Sequence, residues 1–261
     1  KAQHNLGVMY RDGLGVEEDL KKAVRWWRKA AGEGYFAAQF SIGDAYKHGK
    51  GVEQDSKKAV EWFRKAADQG FAIAQEQLAE SYLLGEGIEK DSKKAVKWFH
   101  KAADQGVAKA QHNLGVMYRD GLGVKKDLEE AVRWCRKAAE LGQANAQFNL
   151  CQMYRKGQVV KHDWKKAFHW CRKAAEQGHA GAQYNLGVAY AEGKGTLLNS
   201  KEAFKWWLKA AKQGNAQAQY NLGLMYHKGK VVRKDQDEAA KWFKDAAEQE
   251  DVMAQYNLGM M

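Results

Sequence analysis

Apolar residues along this chain fall at helical spacing, stop, and then restart. In the first run, Ala2, Leu6, Met9 and Tyr10 follow the i, i+4, i+7, i+8 spacing of one helical face. After Gly13 a second run begins, Ala23-Val24-Arg25-Trp26-Trp27-Arg28-Lys29-Ala30-Ala31, with alanine and tryptophan on one side and basic residues on the other. The two runs predict two helices, A and B. Both return every 36 residues: Trp26 is followed by Trp62, Trp98, Trp134, Trp170, Trp206 and Trp242, and the Ala-Gln pair of helix A recurs from Ala2-Gln3 to Ala254-Gln255. A spacing that never slips means one structural unit copied seven times. Such an array is quasi-one-dimensional and has no single central core.

The punctuation agrees with that reading (positions are numbered by the first copy). Helix A ends at a glycine in all seven copies, from Gly13 to Gly229, where the left-handed conformation costs glycine nothing. A second glycine two residues later is less constant, being Val159 and Val231 in the fifth and seventh copies, so only the first is expected to carry a conformational duty. Helix B opens on a short acceptor side chain, Asp19, Asp55, Asp91, Asp127, Asp163, Asn199 or Asp235, an N-cap of about 1 kcal/mol. It closes at Gly34 and its equivalents, except that the seventh copy has Glu250 there and Asp245 where the others have lysine. Residues 1–16 are identical to 109–124, so the array grew by duplication of blocks.

The run Ala-Gln-x-Asn-Leu-Gly-x-Met-Tyr-x-x-Gly-x-Gly-Val, followed by Asp-x-x-Lys-Ala-x-x-Trp-x-x-Lys-Ala-Ala-x-x-Gly, resembles the Sel-one-like repeat, a relative of the tetratricopeptide repeat. The resemblance covers the whole chain: units 1–36, 37–72, 73–108, 109–144, 145–180, 181–216 and 217–252, with a partial eighth at 253–261, read as one array over 1–261. It implies an all-α fold, a right-handed α-α superhelix (solenoid) of antiparallel helix pairs, with helix A on the concave side and helix B on the convex side. It also implies an adaptor: members scaffold complexes in eukaryotic quality control and cell-wall synthesis, and in bacteria serve signalling and host contact. Some bacterial members carry a disulfide in every repeat, and the cysteines for that are missing here.

Helix A and helix B have complementary volumes at positions 7 and 27. The pairs are Gly7/Trp27, Gly43/Phe63, Ala79/Phe99, Gly115/Cys135, Cys151/Cys171, Gly187/Trp207 and Gly223/Phe243. A missing side chain on helix A lets the ring of helix B approach, as a close-packed core requires. Two readings stand for Cys151 and Cys171. The simpler is a pair of buried thiols acting as small hydrophobes; the other is a disulfide, which needs Cα atoms within roughly 7 Å and an oxidising compartment. The recurring tryptophan of position 26 reads as core packing.

Composition adds limits. The chain is 45% hydrophobic and 11% aromatic, with a net charge of +11. No apolar run reaches the roughly 18 residues of a membrane span, so the chain reads as soluble. Lys1 and Met261 both fall within a repeat, so it reads as a fragment of a longer protein whose N-terminus, with any signal peptide, is absent; compartment and oligomeric state stay open. Eight scattered histidines form no four-ligand zinc spacing, no serine stands in a nucleophile elbow, and no glycine loop follows a strand. No catalytic residue, metal site or cofactor is therefore expected, and the chain reads as a non-enzyme.

What varies among copies is one face of helix A, positions 4, 8 and 11. Position 4 supplies Phe40, Glu76, His112, Phe148, Tyr184 and Tyr220; position 8 supplies Glu80, Val188 and Leu224; position 11 supplies Arg119 and Arg155. By the resemblance this face lines the concave groove, where aromatic anchors suit a peptide or partner domain. Phe148, Tyr184 and Tyr220 read as apolar anchors, Arg119 and Arg155 as readers of acidic groups, and Glu76 with Glu80 as a local acidic patch. The competing reading is that these aromatics only complete the core. The regular asparagine of position 5 is expected to hydrogen-bond within the scaffold. The leading function is a non-catalytic scaffold or adaptor for a protein partner. The alternative is a basic convex surface, carried by lysines such as Lys21, Lys22 and Lys29, for nucleic acid or an anionic membrane or polymer; solvation alone accounts for those lysines first.

Overall fold

The computed structural model describes residues 1–157 and 159–261. Among them are fifteen helices and no strand. The A helices are α1 (Ala2–Asp12), α3 (Phe36–His48), α5 (Ala72–Leu84), α7 (Ala108–Asp120), α9 (Ala144–Lys156), α11 (Ala180–Glu192), α13 (Ala216–Lys228) and α15 (Val252–Gly259). The B helices are α2 (Leu20–Gly32), α4 (Ser56–Asp68), α6 (Ser92–Asp104), α8 (Leu128–Glu140), α10 (Trp164–Glu176), α12 (Ser200–Lys212) and α14 (Gln236–Ala247). The chain forms two compact units, Lys1–Lys137 and Ala138–Met261. Within each, a B helix packs on the A helix before it and the A helix after it.

The caps form as the sequence predicts. Asp19 Oδ1 accepts from the Lys22 amide at 2.8 Å, and equivalent bonds cap α4, α6, α10, α12 and α14. The first glycine after helix A is left-handed, with φ 66° at Gly13. The second glycine corrects the expectation that it is conformationally idle. Gly15, Gly51, Gly87, Gly123 and Gly195 all have φ between 71° and 75°. At Gly87 a Cβ would also lie 2.9 Å from the Lys57 nitrogen and closer still to the Ser56 carbonyl. This loop therefore rests on the first turn of the preceding B helix, and a side chain there would hold the two apart. Val231 lies outside the positive-φ region, so the loop of the seventh copy takes another path there.

Core complementarity holds. Position 6 is sealed completely in six copies, from Ile42 and Leu78 to Leu222. A Cβ on Gly43 would stand 2.6 Å from the Phe63 ring, whereas one on Gly115, opposite Cys135, would meet the Cys135 Cβ at 3.5 Å. Cys151 and Cys171 form a disulfide across α9 and α10, with Cα atoms 5.1 Å apart. That replaces the simpler reading of two buried thiols: once both positions are cysteine, the close approach that elsewhere admits an aromatic ring brings the sulfurs together.

The role of the recurring tryptophan changes more. The deeply buried ring belongs to position 27 (Trp27, Phe63, Phe99, Trp207, Phe243), while position 26 is half-buried except at Trp134. Its outer face is covered by the lysine one turn on. Lys29 Nζ lies 4.4 Å from the Trp26 ring centre, Lys65 4.2 Å from Trp62 and Lys101 3.9 Å from Trp98. Lys137, Lys173 and Lys209 repeat the contact. The Trp-x-x-Lys spacing is thus an i, i+3 cation–π pair, and Asp245 is where the seventh copy loses it. Lysines read as a purely solvated face are in large part engaged within the protein.

A second ladder was not expected. Position 3 is a glutamine, buried in six copies from Gln39 to Gln219. Gln75 Nε2 donates to the Ala67 carbonyl of the preceding copy at 3.1 Å, and its Oε1 accepts from Gln105 at 2.8 Å. In the second unit Gln183 donates to the Ala175 carbonyl at 3.2 Å and accepts from Gln213 at 2.7 Å. From Gln75 onward each glutamine adds a second hydrogen bond to a carbonyl near the C-terminus of a B helix that already accepts from the backbone, as Ala67 does from the Gly70 amide at 3.0 Å, and so ties one copy to the next.

Candidate interaction site

The variable face of the A helices differs between the two units. In Lys1–Lys137 its charges are matched internally. Glu76 is only 3% exposed and pairs with Lys109 at 3.0 Å. Glu80 pairs with Lys109 at 3.0 Å and with Lys47 at 3.5 Å. The two glutamates expected to form an open acidic patch are therefore neutralised by lysines of the neighbouring copies, because a buried carboxylate persists as an ion only when paired. Lys109 has a raised pKa: burial opposes the charge, but the bonds and field of Glu76 and Glu80 outweigh it. Arg119, expected to read an acidic group, already holds both oxygens of its neighbour Asp120 at 2.7 Å. Arg11 does the same with Asp12.

The remaining predicted residues of this unit are packed. Phe40 lies against Phe63 and Phe71, ring centres 5.7 and 5.4 Å away. His112 is partly buried, and loss of solvent lowers its pKa below the usual histidine value. Its duplicate His4 bonds Ser41 Oγ at 3.1 Å and meets the Tyr35 ring edge-on.

In Ala138–Met261 the same positions are aromatic and aliphatic. Phe148 stacks on His179 at 4.3 Å between ring centres and packs on the cluster around Ala182 and Leu186. Tyr184 and Val188 pack on the cluster of Ala203 and Trp207, and Tyr220 and Leu224 on that of Ala239 and Phe243. Trp207 Nε1 donates to the Tyr184 carbonyl at 3.2 Å, which fixes that turn of α11. Burial raises the pKa of the Tyr184 hydroxyl, so it stays neutral well past physiological pH. Phe148, Tyr184 and Tyr220 are all half-buried. Each closes the seam to the next copy with part of its surface and presents the rest to solvent, so core completion and an exposed aromatic row coexist.

Arg155 is placed differently from the other arginines of position 11. The next residue is Lys156 rather than aspartate, and Arg155 Nε donates to Gln152 Oε1 at 2.8 Å. It borders a pocket of ≈ 150 Å³ between α9, α10 and α11. Of the position-5 asparagines, Asn257 donates to the Met253 carbonyl at 2.7 Å.

Two features of this unit escaped the sequence reading. One is the pocket. The other is Leu197-Leu198, in a loop where every other complete copy carries polar side chains; Leu197 is 86% exposed. The departure from the copies was the available signal. No group of three or more His, Cys, Asp or Glu among the described residues is arranged to hold a metal ion. No helix among them is long and apolar enough to cross a membrane.

The Sel1 repeat model matches the whole chain, at residues 1–35, 36–71, 72–107, 108–143, 144–179, 180–215, 216–251 and 252–261. No curated protein matches in sequence. Among solved structures, a protective antigen present in uropathogenic Escherichia coli strains, displaying this repeat fold, is 36% identical with a TM-score of 0.92. The match covers 98% of this chain and 55% of the antigen, so the chain spans little more than half of that relative. A Sel1 repeat protein from Oxalobacter formigenes is 38% identical with a TM-score of 0.80, over 99% of this chain and 75% of that one. Every copy, and the match of nearly all of this chain to two solved relatives, thus leads to one conclusion: the chain belongs to the Sel1 repeat family, whose members generally act as non-catalytic scaffolds for protein interactions.

Proposed function

We propose that this chain is an adaptor that binds a peptide or domain of a protein partner along the A-helix face of Ala138–Met261. The observation that carries the reading is the row Phe148, Tyr184 and Tyr220, three half-exposed rings at one position of successive copies. Val188 and Leu224 add apolar surface between them, and the scaffold around them is rigidly packed. Large rings held at low entropic cost are the side chains that dominate binding energy at interfaces. The other unit supports such a role less well, because Glu76, Glu80 and Arg119 are spent on internal pairs.

The setting that fits is oxidising. A disulfide persists outside the reducing cytoplasm, and the Cys151–Cys171 bond supports work in a bacterial envelope or at host contact. Labelling protein taken directly from cells with a thiol reagent tests this; two modified cysteines at 151 and 171 would reject it.

The binding reading is tested with Tyr184→Ala/Tyr220→Ala. Losing two aromatic anchors is expected to weaken partner affinity about a hundredfold or more. Unchanged partner recovery with unchanged helicity would reject the face.

A further inference from the structure

We propose that the pocket between α9, α10 and α11 receives an acidic side chain of the partner peptide, flanked by an apolar residue, with Arg155 as its counter-charge. This rests on the reading that the A-helix face binds a peptide.

The pocket has an origin in the sequence. In five copies a tryptophan or phenylalanine of position 27 takes up most of the space under helix A; the first copy keeps only ≈ 50 Å³ there, beside Arg11 and Trp27. In the fifth copy that residue is Cys171, bonded to Cys151, and a disulfide occupies far less volume than an indole or phenyl ring. The vacated space is not closed by collapse; it remains as ≈ 150 Å³ walled by Cys151, Cys171, Phe168 and Val188, with Arg155 and Asn185 among its lining residues. Val188 belongs to the variable face of α11, so the pocket borders the face that carries Tyr184. A volume of this order holds one side chain, well short of the roughly 300–1,000 Å³ of small-molecule sites. The occupant is therefore part of a larger partner.

Charge specifies that occupant. Lys194 and Glu192 also line the pocket, but they hold each other at 2.6 Å, with Lys194 over the Trp164 ring, so their charges offset. Arg155 is left with an amide oxygen only and no carboxylate partner among the described residues. The arginines at the same position in the first and fourth copies each hold the following aspartate, and Lys156 removes that option here. A half-buried guanidinium beside an apolar cavity is matched by a carboxylate, which it binds through two parallel hydrogen bonds, with an apolar group alongside to fill the walls. Asn185 offers a donor and an acceptor to the peptide backbone at the same mouth.

Random peptides displayed on phage, selected in parallel on the wild-type chain, Arg155→Gln and Tyr184→Ala/Tyr220→Ala, test the proposal. The strongest wild-type peptide is then synthesised and titrated by fluorescence anisotropy, with circular dichroism confirming that each variant is folded. The expected result is a recurring aspartate or glutamate beside an apolar residue, about ten- to a hundredfold weaker binding to Arg155→Gln, partial recovery in Arg155→Lys, and loss in Val188→Trp, which fills the pocket. Peptides that lack an acid, or that bind Arg155→Gln or Val188→Trp as well as wild type, overturn the pocket while leaving the face standing if the tyrosine variant still loses them. A selection that yields no peptide overturns both.

Discussion

The two units carry the same caps, the same glutamine ladder and the same alternation of volume between helices, yet their A-helix faces have different fates. In Lys1–Lys137 the face is polar and self-satisfied: Glu76 and Glu80 share Lys109, Lys47 reaches Glu80, and Arg11 and Arg119 hold their own neighbours. In Ala138–Met261 it is aromatic, with a single arginine left without an acid and a pocket beside it. Repetition fixes the positions that hold copies together and leaves others free. What those free positions become depends on whether neighbouring copies supply a partner for them. An ion pair between copies closes a face; a ring, or an arginine that has lost its aspartate, leaves it open to something else.

The comparison breaks most readily at the tryptophans. Trp134 is 2% exposed and sits in the main cluster of the first unit, whereas Trp242 is half-buried near the end of the second. Trp134→Ala is expected to cost about 4 kcal/mol and Trp242→Ala about half of that, read from urea midpoints. Equal losses would contradict a stability built from nearest-neighbour contacts.

The next largest effect comes from reduction. The Cys151–Cys171 bond closes a loop of sequence separation 20, so reducing it is expected to remove about 3 kcal/mol. Hydrogen exchange followed by peptide mapping should show faster opening in Ala138–Met261 and little change in Lys1–Lys137. Uniform change across the chain would mean that the units do not differ in this respect. Smallest is Lys109→Met, which strands the buried Glu76 carboxylate and is expected to cost about 2 kcal/mol, less than a fully enclosed pair because Lys109 itself is half-exposed. Adding Glu76→Gln should recover most of it in thermal melts; no recovery would show that the pair does not neutralise that face.

Much of the fold was legible because it depends on period and on local chemistry. Helix boundaries, caps and the position 7/27 exchange are set by residues close in sequence or repeated at one spacing, and the structure repeats them. The face was less legible because burial there depends on side chains about 30 residues away. Glu76 looks like an exposed acid until Lys109 is brought to it. The lysine of Trp-x-x-Lys looks solvated because charge suggests water, and a ring face offers an alternative that composition does not show. The second glycine was misjudged for a related reason. Two valines made the position look permissive, while Gly51, Gly87, Gly123 and Gly195 rest on the backbone of the preceding copy.

The glutamine ladder also bears on how such a chain can change length. From Gln75 to Gln255, each rung joins a side chain of one copy to the Ala67-type carbonyl of the copy before it, and these rungs use the same pair of atoms. If residues 73–108 were excised, Gln111 would arrive at the Ala67 carbonyl that Gln75 now occupies, with its donor in the same place. Whole periods can be spliced in or out with the rung re-formed at the join, whereas a cut of any other size breaks it. Identical blocks at 1–16 and 109–124 are what a lineage edited in such whole steps would retain.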